Sequence, residues 1–221
     1  YKLYGYDSMS QLTSEERMNQ KDDSLSRKEY AYDAVGNRQW RDTSVNGGST
    51  TRETYEYYTV QSGSSNIPDQ LKCVKVGTQT IYYFTYDARG NMVRKYYGDL
   101  NSGTYDQYTW DIRDRLIKVR KVTPTQVQEF QYVYNWKGEK IARKNCQTNI
   151  WTFEVYHRTT PIGKFTGSVS STGETVLSPY LTAYLVDGGV SGQIISEYNT
   201  ANGVRKYYFY DRMGNVSSVV S

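Results

Sequence analysis

Aromatic and polar positions alternate along much of this chain, and the alternation keeps stopping at the same kind of turn. Tyr30 and Tyr32 stand two apart; Tyr82, Phe84 and Tyr86 keep the same spacing over a longer run, as do Phe130, Tyr132 and Tyr134. A period of two places such rings on one face of an extended strand. Each run ends at an acid or amide, and in the best copies a glycine stands three residues further on. Asp33 is followed by Gly36, Asp87 by Gly90, Asn135 by Gly138 and Asp211 by Gly214. A side-chain oxygen at the first position can accept from the backbone N–H two residues on, and glycine admits the positive φ that closes a bulged hairpin turn. The pattern predicts a strand, a tight turn and a return strand.

The unit recurs. Taking the acid or amide as position 0, the clear copies fall at Asp7, Asp33, Asp87, Asp111, Asn135 and Asp211. Three weaker ones place Tyr58, Tyr156 and Asp187 in the slot, giving steps of 21 to 31 residues, most of them near 25. Position −3 is Tyr4, Tyr30, Tyr55, Phe84, Tyr108, Tyr132, Phe153, Tyr184 and Tyr208; position −1 is Tyr6, Tyr32, Tyr57, Tyr86, Trp110, Tyr134, Val155, Val186 and Tyr210. A lone hairpin is marginal in water, whereas stacked hairpins bury one another's aromatic rows. The expected fold is therefore all-β, about nine antiparallel hairpins of about 25 residues in one continuous sheet. Residues 1–221 read as a single repeat domain. They begin in mid-strand at Tyr1 and end in strand-like "VSSVVS", as a segment of a longer chain would. The one competing helical stretch, "SEERMNQKDD" at 14–23, is polar and lies between copies, so it is allotted a turn or two at most.

Composition sharpens this picture. The chain has 24 Tyr against 5 Phe and a mean hydropathy of −0.77. Tyrosine packs by its ring and keeps a polar end, which suits sheets with partly wet faces. The net charge of +4 is mild, and basic and acidic residues are interspersed. Nucleic-acid binding calls for a clustered basic face. The nearest run, "RDRLIKVRK" at 113–121, alternates as a strand with a charged face. No run approaches the about 18 apolar residues of a membrane span.

Candidate chemistry is sparse. An acid repeated at every turn is a turn former, since acid–base catalysis needs carboxylates in distinct environments at one place. His157 is the single histidine, and neither Cys73 nor Cys146 carries a local nucleophile signature. Metal ligation has no ligand set. The expectation is a non-enzymatic chain without cofactor or metal.

Motif and period together resemble the YD repeats of Rhs proteins, bacterial wall-associated proteins, the C component of insecticidal toxin complexes and the animal teneurins. The copies "YAYDAVGNR" at 30–38, "FTYDARGNM" at 84–92 and "YFYDRMGNV" at 208–216 carry it, and it covers essentially the whole chain. The resemblance implies a long antiparallel sheet that spirals into a hollow shell or solenoid. In Rhs and toxin-complex proteins that shell encloses a C-terminal effector; in teneurins it is an extracellular barrel that presents adhesion surfaces. It further implies a secreted or cell-surface location, and as partners the neighbouring repeats, the flanking domains and an enclosed effector. The self-cleaving aspartate pair and variable effector of the family are not visible here, so proteolytic and toxic activities do not carry over. The other reading is an extracellular carbohydrate- or cell-wall-binding module, with aromatic rows stacking on surface glycans. Such modules lean on Gly-Trp pairs and a shorter period, and Trp40, Trp110, Trp136 and Trp151 share no slot.

Overall fold

A computed structural model describes residues 1–59, 68–157, 160–169, 175–186, 193–210 and 216–221. Every regular element among them is a β-strand, and every strand pair given below is antiparallel. The chain divides into two compact units: Tyr1–Tyr108 with Lys121–Gln126, and Thr109–Arg120 with Val127–Ser221.

The first unit is a meander of β1 (Lys2–Tyr6), β2 (Leu12–Met18), β3 (Ser24–Tyr32), β4 (Arg38–Val45), β5 (Thr51–Tyr57), β6 (Leu71–Val76), β7 (Gln79–Tyr86), β8 (Met92–Tyr96) and the start of β9 (Tyr105–Trp110), each pairing with the next. The second holds most of β10 (Leu116–Val122), then β11 (Val127–Tyr134), β12 (Lys140–Asn145), β13 (Ile150–His157), β14 (Thr160–Val169), β15 (Thr175–Val186), β16 (Ile194–Asn199), β17 (Arg205–Tyr210) and β18 (Val216–Val220). From β11 to β18 the strands again pair in chain order. Two-residue periodicity and short polar connections suffice for this order, because consecutive antiparallel strands need only a hairpin between them.

One expectation is corrected. Residues 14–23 contain no helical turn: β2 runs through Met18, and residues 19–22 close a tight turn into β3. Pairing on both sides decides this, Arg17 opposite Lys2 in β1 and Ser26 in β3. Cross-strand partners override the weak local preference of a polar segment.

The apolar core is thin. Among the described residues its buried members are Cys73, Val74, Phe84, Tyr96, Val119 and Ala142. Rings half in water, ladders and charge pairs do the rest. Arg38 lies over both Tyr30 and Tyr55, 4.9 and 5.4 Å from their centroids, and Lys95 lies 4.2 Å from the Tyr82 centroid. Contacts of this kind contribute about 0.5–1 kcal/mol each where exposed. Of the basic run 113–121, residues 116–121 lie in β10 and 113–115 in the turn before it; Lys118 and Arg120 both reach Glu129, at 3.5 and 3.4 Å.

Candidate functional site

Five turns along the chain share one hydrogen-bond pattern. At Asp33 the side-chain Oδ1 accepts from the N–H groups of Val35 and Asn37, at 3.0 and 2.8 Å. Asp7, Asp87 and Asp111 repeat it with residues +2 and +4, and Asn135 does so through its amide oxygen. In each, the N–H at position 0 donates to the +4 carbonyl and the +3 N–H donates back to the carbonyl at 0. Residue +3 has positive φ in every case: Ser10, Gly36, Gly90, Asp114 and Gly138. The return strand is then offset by a bulge just before position −1, so that Tyr32 sits opposite Arg38 and Tyr134 opposite Lys140.

Position +4 completes the turn. The Asn37 and Asn91 amides donate to Oδ2 of Asp33 and Asp87, both at 3.2 Å, and Arg115 Nε donates to Asp111 Oδ2 at 2.7 Å. Where the slot holds Asn135 the roles reverse, and its amide donates to Glu139 at 2.6 Å. Four of the five turns thus pair one donor side chain with one acceptor. The same side chains hook one turn to the next: Asn37 donates to Asp69, Gln70 to the Gly90 carbonyl, and Arg115 to the Asn135 carbonyl. The Asp111 carboxyl is lowered to about 2, first by the Arg115 hydrogen bond and then by the backbone N–H of Arg115, against the pull of desolvation. For Asp33 and Asp87 desolvation is the largest influence and acts upward. The hydrogen bonds from Asn37 and Asn91 outweigh it, and both carboxyls end below the ordinary value.

The tyrosine at −1 ties each hairpin to the one before. The hydroxyls of Tyr32, Tyr57, Tyr86, Tyr134, Tyr156 and Tyr210 donate to the backbone carbonyls of Leu12, Arg38, Leu71, Leu116, Lys140 and Ile194, at 2.8 to 3.0 Å. Every acceptor is the first residue of the preceding return strand. Ladders between hairpins end two residues short of it: the last pair beside Arg38 is Trp40 with Thr54, and beside Lys140 it is Ala142 with Phe153. The hydroxyl supplies the donor that the ladder does not. A buried carbonyl left without one costs about 1–3 kcal/mol, which accounts for tyrosine rather than phenylalanine at −1.

A third relationship runs across the same face. The residue three beyond the partner of −1, which is +8 in the regular copies, stands opposite residue −5 of the next hairpin, and the two are matched in character. Glu15 faces Lys28, Arg41 faces Glu53, Val74 faces Tyr82, Lys95 faces Asp106 and Glu197 faces Lys206. Three of these pairs close as salt bridges, at 3.4, 2.6 and 3.1 Å. Half-exposed pairs are worth about 0.2–1 kcal/mol, while like charges directly opposite would repel. Their main effect is therefore on which strands accept one another.

The rings at −3 share this face. Phe84 is 7% exposed, Tyr30, Tyr55, Tyr108, Tyr132, Tyr184 and Tyr208 are half-buried, and Tyr4 in β1 is 52% exposed. Tyr6 and Trp110 are exposed and half-buried at −1. Asp187, Asp211 and Gly214 lie outside the described residues. Tyr58 occupies its slot, with its N–H donating to the Gln70 carbonyl and Asp69, at positive φ, donating back to Tyr58. Eight extra residues, 60–67, separate the two, which hides the copy from a scan for a glycine three residues on. The copy around 156 is in a different register from the sequence reading. Tyr156 sits opposite Pro161 beyond a bulge and bonds to Lys140, so it holds position −1 and His157 takes the slot. Phe153 and Val155 therefore belong to the opposite face, where Phe153 stacks on Phe165 at 5.1 Å. Sequence reasoning also missed Asn19. Its amide oxygen accepts from the N–H groups of Lys21 and Asp23 in a similar turn, with Asp22 at positive φ, at the far end of β2. The Asn-x-x-Asp-Asp spacing was the available signal.

Nucleophile candidates are not assembled. Cys73 is free and buried, its thiol donates to Glu56 at 3.2 Å, and burial followed by that bond pushes it up to about 11, away from thiolate reactivity. Cys146 is free as well, its thiol raised first by burial and then by Glu129. His157 is exposed at the end of β13. Among the described residues no three His, Cys, Asp or Glu side chains gather as metal ligands, and no helix is long and apolar enough to cross a membrane.

No family model matches the chain. Over 199 residues, 86% of this chain, it is 29% identical to the tRNA3(Ser)-specific nuclease WapA of Bacillus spizizenii, of which it spans 7%. Its fold is similar to segments of two crystal structures, TcdB2-TccC3-Cdc42 (TM-score 0.51) and TcdB2-TccC3-TEV (TM-score 0.50). Each match has 14% identity and covers 99% of this chain and 12% of the other. At that identity the likeness establishes the fold alone.

Proposed function

We propose that this chain is a structural segment of an Rhs-type YD-repeat shell, one repeat domain over residues 1–221 that encloses or presents an effector domain elsewhere in a secreted or cell-surface polypeptide. The observation that carries this reading is the row of −1 hydroxyls bonded to the preceding hairpin. It makes each unit's edge the template for the next, as a wall extended by repetition requires. Similarity along a small fraction of much longer chains supports a segment role. On this reading the nuclease activity named for the relative belongs to other parts of that protein, and the segment itself is non-enzymatic. Half-burial of the −3 rings in the described hairpins after the first favours wall packing over a sugar-stacking module.

The test is protease challenge of the complete polypeptide. A domain following the repeats is expected to resist cleavage until the sheet is loosened with denaturant. Cleavage at the rate of that domain expressed alone would overturn the proposal.

A further inference from the structure

This matching of return strand with residue −5 breaks down at two successive junctions, both in the second unit, with Lys164 again three beyond the partner of −1, Pro161. Arg143 stands opposite Thr152, and Lys164 opposite Thr182. Elsewhere a cation at +8 faces an acid, Arg41 with Glu53 and Lys95 with Asp106. Here the facing residue of the next hairpin offers only a hydroxyl, while Lys164 has Glu154 opposite it within its own hairpin. Neither Arg143 nor Lys164 has an ion pair within 4.0 Å among the described residues. Their charges are steadied by rings instead, Arg143 over Phe130 at 5.8 Å and Lys164 over Tyr184 at 5.7 Å. Two acids lie near Lys164 and both are engaged elsewhere: Glu154, opposite it in β13, is bound by Lys140 at 3.0 Å, and Glu197 by Lys206 at 3.1 Å and the Tyr208 hydroxyl at 2.9 Å.

The four residues of the two junctions line a single cleft of about 500 Å³ over β12–β16. Its charged lining is Lys140, Arg143 and Lys164 against Glu154, a surplus of two positive charges. Thr152, Thr166, Thr182 and Tyr184 add hydroxyls. The volume falls within the range of small-molecule sites, about 300–1,000 Å³. Two cations outside any salt bridge, in a lining whose one acid is bound by Lys140, and ringed by hydroxyl donors, are what an oxyanion on a hydroxylated molecule needs.

We propose that this cleft binds the oxyanion of a sugar acid or sugar phosphate, with Arg143 and Lys164 contacting the anionic group and the threonine hydroxyls contacting the sugar. The inference stands on these two junctions and does not depend on the shell reading. The experiment titrates inorganic phosphate, glucuronate and neutral glucose separately into the chain at low salt, followed by amide chemical shifts. Saturating shifts around Arg143, Lys164, Thr152 and Thr182 are expected with phosphate, glucuronate or both, and the arm that saturates identifies the class of anion. The decisive variant is Thr152→Glu with Thr182→Glu, which supplies the acids found at the other junctions. It should keep or raise the melting temperature while weakening anion binding at least about tenfold, roughly the share of one charge-assisted contact. If that variant does not fold, Lys164→Gln is expected to show the same direction of loss. Absence of saturation with both anions, equal binding of glucose, or anion binding unchanged in a folded variant would each overturn the proposal.

Discussion

The Tyr134 hydroxyl donates to the Leu116 carbonyl across 2.8 Å and 18 residues of sequence, joining one hairpin to the start of the previous return strand. The Tyr132 ring, two residues earlier on the same face, is half-buried and makes no such bond. This contrast separates the ring from the hydroxyl. Tyr134→Phe is expected to cost about 1–3 kcal/mol, the cost of stranding a carbonyl. Tyr132→Phe should stay within about 0.5 kcal/mol of the parent. Urea unfolding of the two variants checks this, and equal midpoints would count against the hydroxyl link.

Donor and acceptor are exchanged at one turn, Asn135 with Glu139, relative to Asp33 with Asn37. Asn135→Asp alone sets two carboxylates against each other and is expected to destabilise by about 1 kcal/mol at neutral pH. Adding Glu139→Asn recreates the common arrangement and should recover most of the loss. A double-mutant cycle by thermal unfolding measures the coupling; additive effects would refute the exchange.

Gly138 has φ near 90° and open space around an added Cβ, so a substitution there tests backbone conformation without a clash. Gly138→Val should cost about 1–3 kcal/mol, because a β-branched residue resists that region. Gly138→Asn should cost less, as the φ of 57° at Asp114 in the equivalent position implies. The ordering of the two melting temperatures is the readout.

Acid should loosen the turns at a defined place. The folded Asp111 carboxyl titrates at about 2 against an ordinary 3.8, so the folded state favours the ionised form. Its contribution is full above the unfolded value and is lost as pH falls from about 4 through 2. Stability measured across that window should decline less steeply in Asp111→Asn. An identical slope would show that Arg115 does not hold this carboxylate.

At the alkaline end the sign reverses. Burial, as the first cause, raises Tyr108, Tyr156 and Tyr208 to about 12 from 10.0, with the carboxylates of Asp106, Glu154 and Glu197 adding to it. The folded state holds them neutral, so their contribution is full below pH 10 and lost as pH rises from 10 through 12. Tyrosinate absorbance should then rise cooperatively with loss of strand signal. Smooth ionisation at ordinary values with the sheet intact would contradict the buried hydroxyls.

The sequence by itself determined the unit: rings at −3 and −1, an acid or amide at 0 and a residue tolerating positive φ at +3. These follow from strand periodicity and turn chemistry, which act over a few residues and are written contiguously. Only the tertiary structure decided what each unit joins. The partner of the Tyr134 hydroxyl is set by strand register, as is the matching of Glu15 with Lys28 and its failure at Lys164 with Thr182. Register also put Tyr156 rather than Val155 at −1, where one residue of slip exchanges the two faces. It made residues 14–18 a strand because both neighbours offered a ladder. Pairing between strands depends on residues far apart in the chain, so a pattern that names every hairpin still leaves their contacts to be settled by the assembled sheet.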